Sequence, residues 1–145
     1  MKNLAILIDK PGYSQKFRCL TEELNKLPSN INVIVLTCEA GPIPTKANFP
    51  IMDLIHGYGF DGTVISTDIY TTSVMNNMLC PKDKYFYVWD LEYIYNPYSL
   101  ALLENVFNNK LLARNQIRYD ILKSSWKTPE IILNEFNYEQ LQQLL

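Results

Sequence analysis

The chain has 145 residues, enough for one hydrophobic core of ordinary size and too few for two full domains. Hydrophobic residues make up 48% and charged residues 19%, a globular balance that excludes an intrinsically disordered chain. A net charge of −2 and a pI near 5.4 argue against a nucleic-acid binder, whose footprint is a basic face.

No apolar run reaches the roughly 18–20 residues that span a bilayer, so no membrane span is expected. The start, "MKNLAILIDKPGYS", closes its apolar run on Asp9 and Lys10 with no small-residue cleavage site, and reads as a first strand instead of a signal peptide. Cys19, Cys38 and Cys80 are widely spaced with no CxxC, which suits reduced thiols and a cytoplasmic location.

Short β-rich runs alternate with helical stretches along the whole chain. "LAILI" (Leu4–Ile8) predicts a strand closed by the turn Asp9–Gly12. Ser14 then caps a helix to about Leu27, with Phe17, Leu20, Leu24 and Leu27 at helical spacing. "INVIVLT" (Ile31–Thr37) predicts the second strand, followed by a proline-rich loop to Pro50 and a helix over "IMDLIHGYG". "GTVIS" (Gly62–Ser66) predicts the third strand and a helix near Ile69–Leu79.

The fourth strand falls in "KYFYVWDLEYIY" (Lys84 to Tyr95), where six aromatics and two carboxylates share twelve residues. Tyr85–Trp89 reads as the strand and Asp90 to Tyr95 as the loop at its carboxyl end. A helix over Ser99–Asn108, a fifth strand at Lys110–Arg114, a helix over "NQIRYDILKSSW", a sixth strand "EIILNEF" (Glu130–Phe136) and a final short helix complete the order.

Strands separated by single helices require parallel pairing, since each crossover returns the chain to the starting edge. The strand runs lack polar alternation, as expected where helices cover both faces. The expected fold is therefore a single α/β domain, Rossmann-like and doubly wound, with a mostly parallel sheet of about six strands flanked by helices.

Such sheets bind ligands outside the carboxyl ends of their strands, near a topological switch point. The residues delivered there are Gly12, Tyr13 and Ser14 after the first strand and Asp68 after the third. Trp89, Asp90, Glu92 and Tyr93 follow the fourth, Arg114 and Asn115 the fifth, and Glu135 lies in the sixth. Strand ends are polar in any case because chains turn there. Asp90 and Glu92 stand out because they lie among aromatic rings that stack on sugars or bases, while carboxylates accept hydroxyl protons.

A lone Gly12 falls short of a dinucleotide fingerprint, and Pro11 removes a donor from the turn. His56, the only histidine, is placed to interact with a helix C-terminus. No spacing rule brings Asp9, Asp68, Asp90 and Glu92 together as a metal site, and no cofactor is expected.

The stretches "YVWDLEYIY" and "LLARNQIRYDILKSSWKTPEIILNEF" resemble the end of the N-terminal, acceptor-side domain of GT-B glycosyltransferases. There, an aromatic strand with a following carboxylate precedes an "L-I-A-R-S"-like strand that opens a helix. Here Leu111 to Asn115 takes that slot, with asparagine where serine is common. The resemblance implies a glycosyltransferase-like chain whose ligand is a nucleotide-sugar or a glycan acceptor. It implies that Asp90, Glu92, Tyr93, Arg114 and Asn115 face an inter-domain cleft, with Asp90 and Glu92 as the catalytic candidates. It also implies a donor-binding second lobe supplied by a partner chain or by a homodimer.

Two other readings stand beside it. One is a non-catalytic binding or scaffold module on the same fold. The other is a small enzyme acting on a nucleotide or phosphorylated metabolite, with Asp9 or Asp90 as acid or base.

Overall fold

The computed structural model describes residues 1–145. Seven strands form one all-parallel sheet: β1 (Lys2–Ile8), β2 (Ile31–Thr37), β3 (Ile51–Asp53), β4 (Thr63–Ser66), β5 (Asp83–Val88), β6 (Lys110–Ala113) and β7 (Ile131–Ile132). Their spatial order is β3-β2-β1-β4-β5-β6-β7. The chain winds outward from β1 to β3, returns to the centre, then winds the other way from β4 to β7. The β1/β4 junction is therefore the topological switch point.

Five helices connect and cover the strands: α1 (Gln15–Leu24), α2 (Ile69–Met75), α3 (Leu100–Phe107), α4 (Gln116–Ser125) and α5 (Tyr138–Gln143). Because side chains alternate along a strand, β1 sends Leu4, Ile6 and Ile8 to one face and Ala5 and Leu7 to the other. The first face meets Phe17, Leu20 and Leu24 of α1 and Leu141 of α5. The second meets Met75 of α2 near the sheet centre, and Val106, Phe107 and Leu122 of α3 and α4 farther along. Both faces are covered, which is why the strands read as continuous apolar runs.

The aromatic strand β5 obeys the same alternation. Tyr85 and Tyr87, with Trp89 just beyond the strand, point to the α1/α5 face, Phe86 and Val88 to the α3/α4 face, and all five are buried. Tyr87 sits edge-on to Phe136 (4.9 Å between ring centroids), and its hydroxyl donates to the Leu133 carbonyl. That bond satisfies a polar group which burial would otherwise penalise.

The doubly wound α/β fold agrees with the sequence, but the sheet has seven strands instead of six. The additional one is β3, which takes the place of the helix that the sequence predicts after Pro50. Ile51–Asp53 pairs with Val35–Thr37 at the sheet edge, and Leu54–Gly57 then forms a 3₁₀ turn with Asp53 accepting from Ile55 N–H. Gly57 lies so close to the sheet that a Cβ would stand 2.8 Å from Leu36 and 2.9 Å from Met78. A regular helix through this glycine-rich stretch has little propensity to oppose that approach.

Strand β5 starts at Asp83 because Asp83 and Lys84 pair with Thr63 and Val64, and it stops at Val88 where Trp89 N–H turns back to the Tyr87 carbonyl. The expected strand "EIILNEF" is paired only at Ile131–Ile132. Asn134–Phe136 is a 3₁₀ turn in which Glu135 (φ 46°) and Phe136 (φ 63°) hold left-handed backbone. Phe136 packs parallel to Trp89 at 5.4 Å, so burying its ring holds a conformation that an L-residue rarely adopts. Helix α1 ends at Leu24, three residues before the expected Leu27, as Lys26 and Leu27 N–H make tighter i→i−3 bonds.

Candidate functional site

Arg114, the first residue after β6, is the centre of the carboxyl edge. Its guanidinium lies over the face of Trp89 at 3.7 Å from the ring centroid, and its side chain is only 13% exposed. It pairs with Glu135 (3.3 Å) and approaches Asp90 (4.0 Å), which Arg118 also approaches at 3.6 Å. A planar guanidinium suits this role, since it stacks through its face and donates through its edges.

Arg114 forms a wall between two clefts. The first, of about 410 Å³, runs from the Asp9–Lys16 segment to Trp89, Asp90 and Arg114. Ser14 caps α1 by accepting from Phe17 N–H at 3.1 Å, and Gly12 faces open space. Three cationic side chains, Lys10, Lys16 and Arg114, meet two carboxylates, Asp9 and Asp90, along this cleft. The second cleft, of about 500 Å³, lies between α1, the β6–α4 turn and the β7–α5 turn. It is lined by Cys19, Glu22 and Glu23, by Arg114, Asn115 and Arg118, and by Asn134, Glu135 and Asn137. Both volumes fall in the roughly 300–1,000 Å³ range of small-ligand pockets.

The structure brings Gly12, Tyr13, Ser14, Trp89, Asp90 and Arg114 together at the first cleft, and Arg114, Asn115 and Glu135 at the second. Asp90 and Glu92 do not share a cleft. Glu92 turns to the α2 N-terminus, where it accepts from Ile69 N–H at 2.8 Å. Asp68 caps the same helix by accepting from Thr71 N–H at 2.7 Å. Two carboxylates thus occupy the amides of that helix end, leaving them unavailable to an external anion.

Tyr93 is edge-on to Phe107 (5.5 Å) and to Trp126 (6.1 Å), which places its ring in the packing beneath α3 and α4. Trp89 is 4% exposed, so it supports Arg114 from below instead of presenting its own face to solvent. His56 is exposed in the last turn of the Leu54–Gly57 segment, away from either cleft.

Burial shapes the electrostatics of this edge. Desolvation pushes the Glu92 carboxyl up to about 7, reinforced by the nearby Asp68 and Asp90 charges and opposed by Ile69 N–H and Lys16. Desolvation likewise raises Asp68, opposed chiefly by Lys16 at 3.8 Å, which also pairs with Asp9 at 3.4 Å. The Cys38 thiol is pushed up to about 11, and Cys19 is also raised, both mainly by burial, so neither presents an activated thiolate. No group of three or more His, Cys, Asp or Glu is placed to hold a metal ion.

Lys16, Cys19, Glu22, Glu23, Arg118 and Asn137 are among the lining residues that carry no strand-end signal in the sequence. Cys19, Glu22 and Glu23 lie at helical spacing beside the α1 core stripe, and Arg118 follows Arg114 by four residues across a helix start. Those spacings were the available signal.

No family model matches the chain, and no characterised protein or solved structure matches it either. No helix is long and apolar enough to cross a membrane.

Proposed function

We propose that the chain acts as the acceptor-side half of a glycosyltransferase-like enzyme, with its second lobe supplied by a partner chain or by a second copy. The observation that carries this reading is the Arg114 platform on Trp89, with Asp90 on one side and open polar clefts on both. In this reading Asp90 receives the proton of the acceptor hydroxyl. The hydroxyl oxygen bonds to the anomeric carbon of a nucleotide-sugar, and the bond from that carbon to the phosphate oxygen breaks. Its electron pair leaves with the nucleoside diphosphate, whose charge the second lobe stabilises. Arg114 and Arg118 hold the Asp90 carboxylate in place, while Glu92 acts only by fixing the loop to α2.

Asp90→Asn is expected to lower transfer by about 100-fold or more, the usual scale of a lost general base. The assay combines a panel of nucleotide-sugars, neutral acceptors and the chain, at self-associating concentrations or with its partner. Absence of transfer by the parent chain in every combination would overturn the enzymatic reading.

A non-catalytic binding module is the second reading. It is favoured by exposed apolar side chains around the same edge: Tyr13 (82% exposed), Tyr95 (80%), Tyr70, Ile94, Leu100 and Ile117. These residues lie in the β1–α1 and β5–α3 loops and in the first turns of α2, α3 and α4. Their exposure on the edge that carries the clefts is compatible with a protein surface closing over it.

A further inference from the structure

The second cleft differs in character from the first. It carries three carboxylates, Glu22, Glu23 and Glu135, against two guanidiniums, Arg114 and Arg118, and Cys19 is its only apolar lining residue. An anionic ligand would meet the carboxylates, a cation would meet the guanidiniums, and an apolar ligand would find almost no surface to cover.

The hydrogen-bonding inventory is more specific. Asn115 and Asn137 use their side-chain oxygens to cap α4 and α5, accepting from Arg118 N–H (2.9 Å) and Gln140 N–H (3.1 Å). Their NH₂ groups remain as donors beside the cleft. The Asn134 side chain and the exposed Glu22 carboxylate add a further amide and a further acceptor. Arg118 Nε is buried without a hydrogen-bond partner, while one of its terminal nitrogens lies 3.6 Å from Asp90. Opposite, Glu135 is fixed in left-handed backbone, and its carboxylate accepts from Gln15 (3.3 Å), Cys19 (3.7 Å) and Arg114 (3.3 Å).

We propose that this cleft is a subsite for an uncharged polyhydroxylated group such as a single glycosyl unit, and that it does not take phosphate. Paired amide donors and carboxylate acceptors match hydroxyls, each of which both donates and accepts. The proposal rests on the acceptor-side reading above and narrows it. The neutral unit lies on the Glu135 side of Arg114, and the reacting hydroxyl reaches past that guanidinium to Asp90.

The test is a set of ¹H–¹⁵N correlation spectra of the whole chain, titrated separately with neutral methyl glycosides and disaccharides, the matched hexose phosphates, and inorganic phosphate. Neutral sugars are expected to move the side-chain NH₂ signals of Asn115, Asn134 and Asn137, and inorganic phosphate to leave them in place. Glu22→Ala and Asn134→Ala, both at exposed positions, should each weaken sugar binding by about fivefold, the loss of roughly one hydrogen bond, with no change in melting temperature.

The proposal is overturned if no neutral sugar moves these signals, if phosphate moves them equally, or if both variants bind as the parent does. Sugar-induced shifts in a chain that never supports transfer would retain the subsite and remove the enzyme. Transfer without these shifts would do the reverse.

Discussion

Arg114→Ala is expected to lower the free energy of unfolding by about 1–2 kcal/mol, mostly from the stack on Trp89, and to abolish ligand binding at the carboxyl edge in the same variant. The guanidinium covers Trp89 at 3.7 Å and links Glu135 at 3.3 Å and Asp90 at 4.0 Å, so its loss uncovers an aromatic face and removes one partner from each of two carboxylates, leaving Asp90 to Arg118 and Glu135 to Gln15 and Cys19. Arg114→Lys keeps the charge but not the planar stack or the forked donors, and should recover only part of the stability. Urea unfolding of the three proteins measures the effect. A parent-like midpoint for the alanine variant would show that the stack contributes nothing to holding the edge together.

The second large effect is a pH dependence carried by Glu92. A carboxyl group that is harder to ionise in the folded chain than in the unfolded one favours the fold while it is protonated. With an ordinary value of 4.5 and a folded value raised to about 7, chiefly by burial, that contribution is complete below 4.5 and is lost as the pH rises through about 7. The unfolding midpoint should therefore fall across this window and flatten above it.

Glu92→Gln keeps an acceptor for Ile69 N–H but cannot ionise, and should remove most of the slope. Asp68 is raised in the same direction by burial and should account for a smaller residual slope. Denaturation series of parent and variant at matched ionic strength check this. An unchanged slope in the glutamine variant would remove Glu92 from the account.

Much of this was legible in the sequence. Apolar runs marked β1, β2 and β4, and Ser14 marked the start of α1, because burial on both faces and N-capping leave strong local signals. The gathering of Gly12, Asp90 and Arg114 on one edge followed from parallel topology alone, since every strand of a doubly wound sheet ends on the same side.

The parts that escaped depend on tertiary contacts. Strand β3 is three residues long and exists because Val35–Thr37 offers an open edge, so Ile51–Asp53 carries no periodicity of its own. Glu135 reads as part of a β-rich run, yet the burial of Phe136 against Trp89 turns that run into left-handed backbone. Asp90 and Glu92 are two residues apart and read alike in one dimension. Only folding separates a carboxylate held by two arginines beside a cleft from one capping a helix. Tyr93 likewise reads as part of an aromatic binding edge, but packs against Phe107 and Trp126.

The most direct measurement is a crystal structure of the full chain soaked with the neutral glycan that binds it most tightly. The account predicts ligand density against Arg114, with one sugar unit beside Asn115, Asn134 and Glu135 and a hydroxyl within hydrogen-bonding reach of Asp90. Density at the opposite edge of the sheet, in the groove formed by Met1, Asp61, Lys82 and Leu145, or no ordered ligand at saturation, would contradict it.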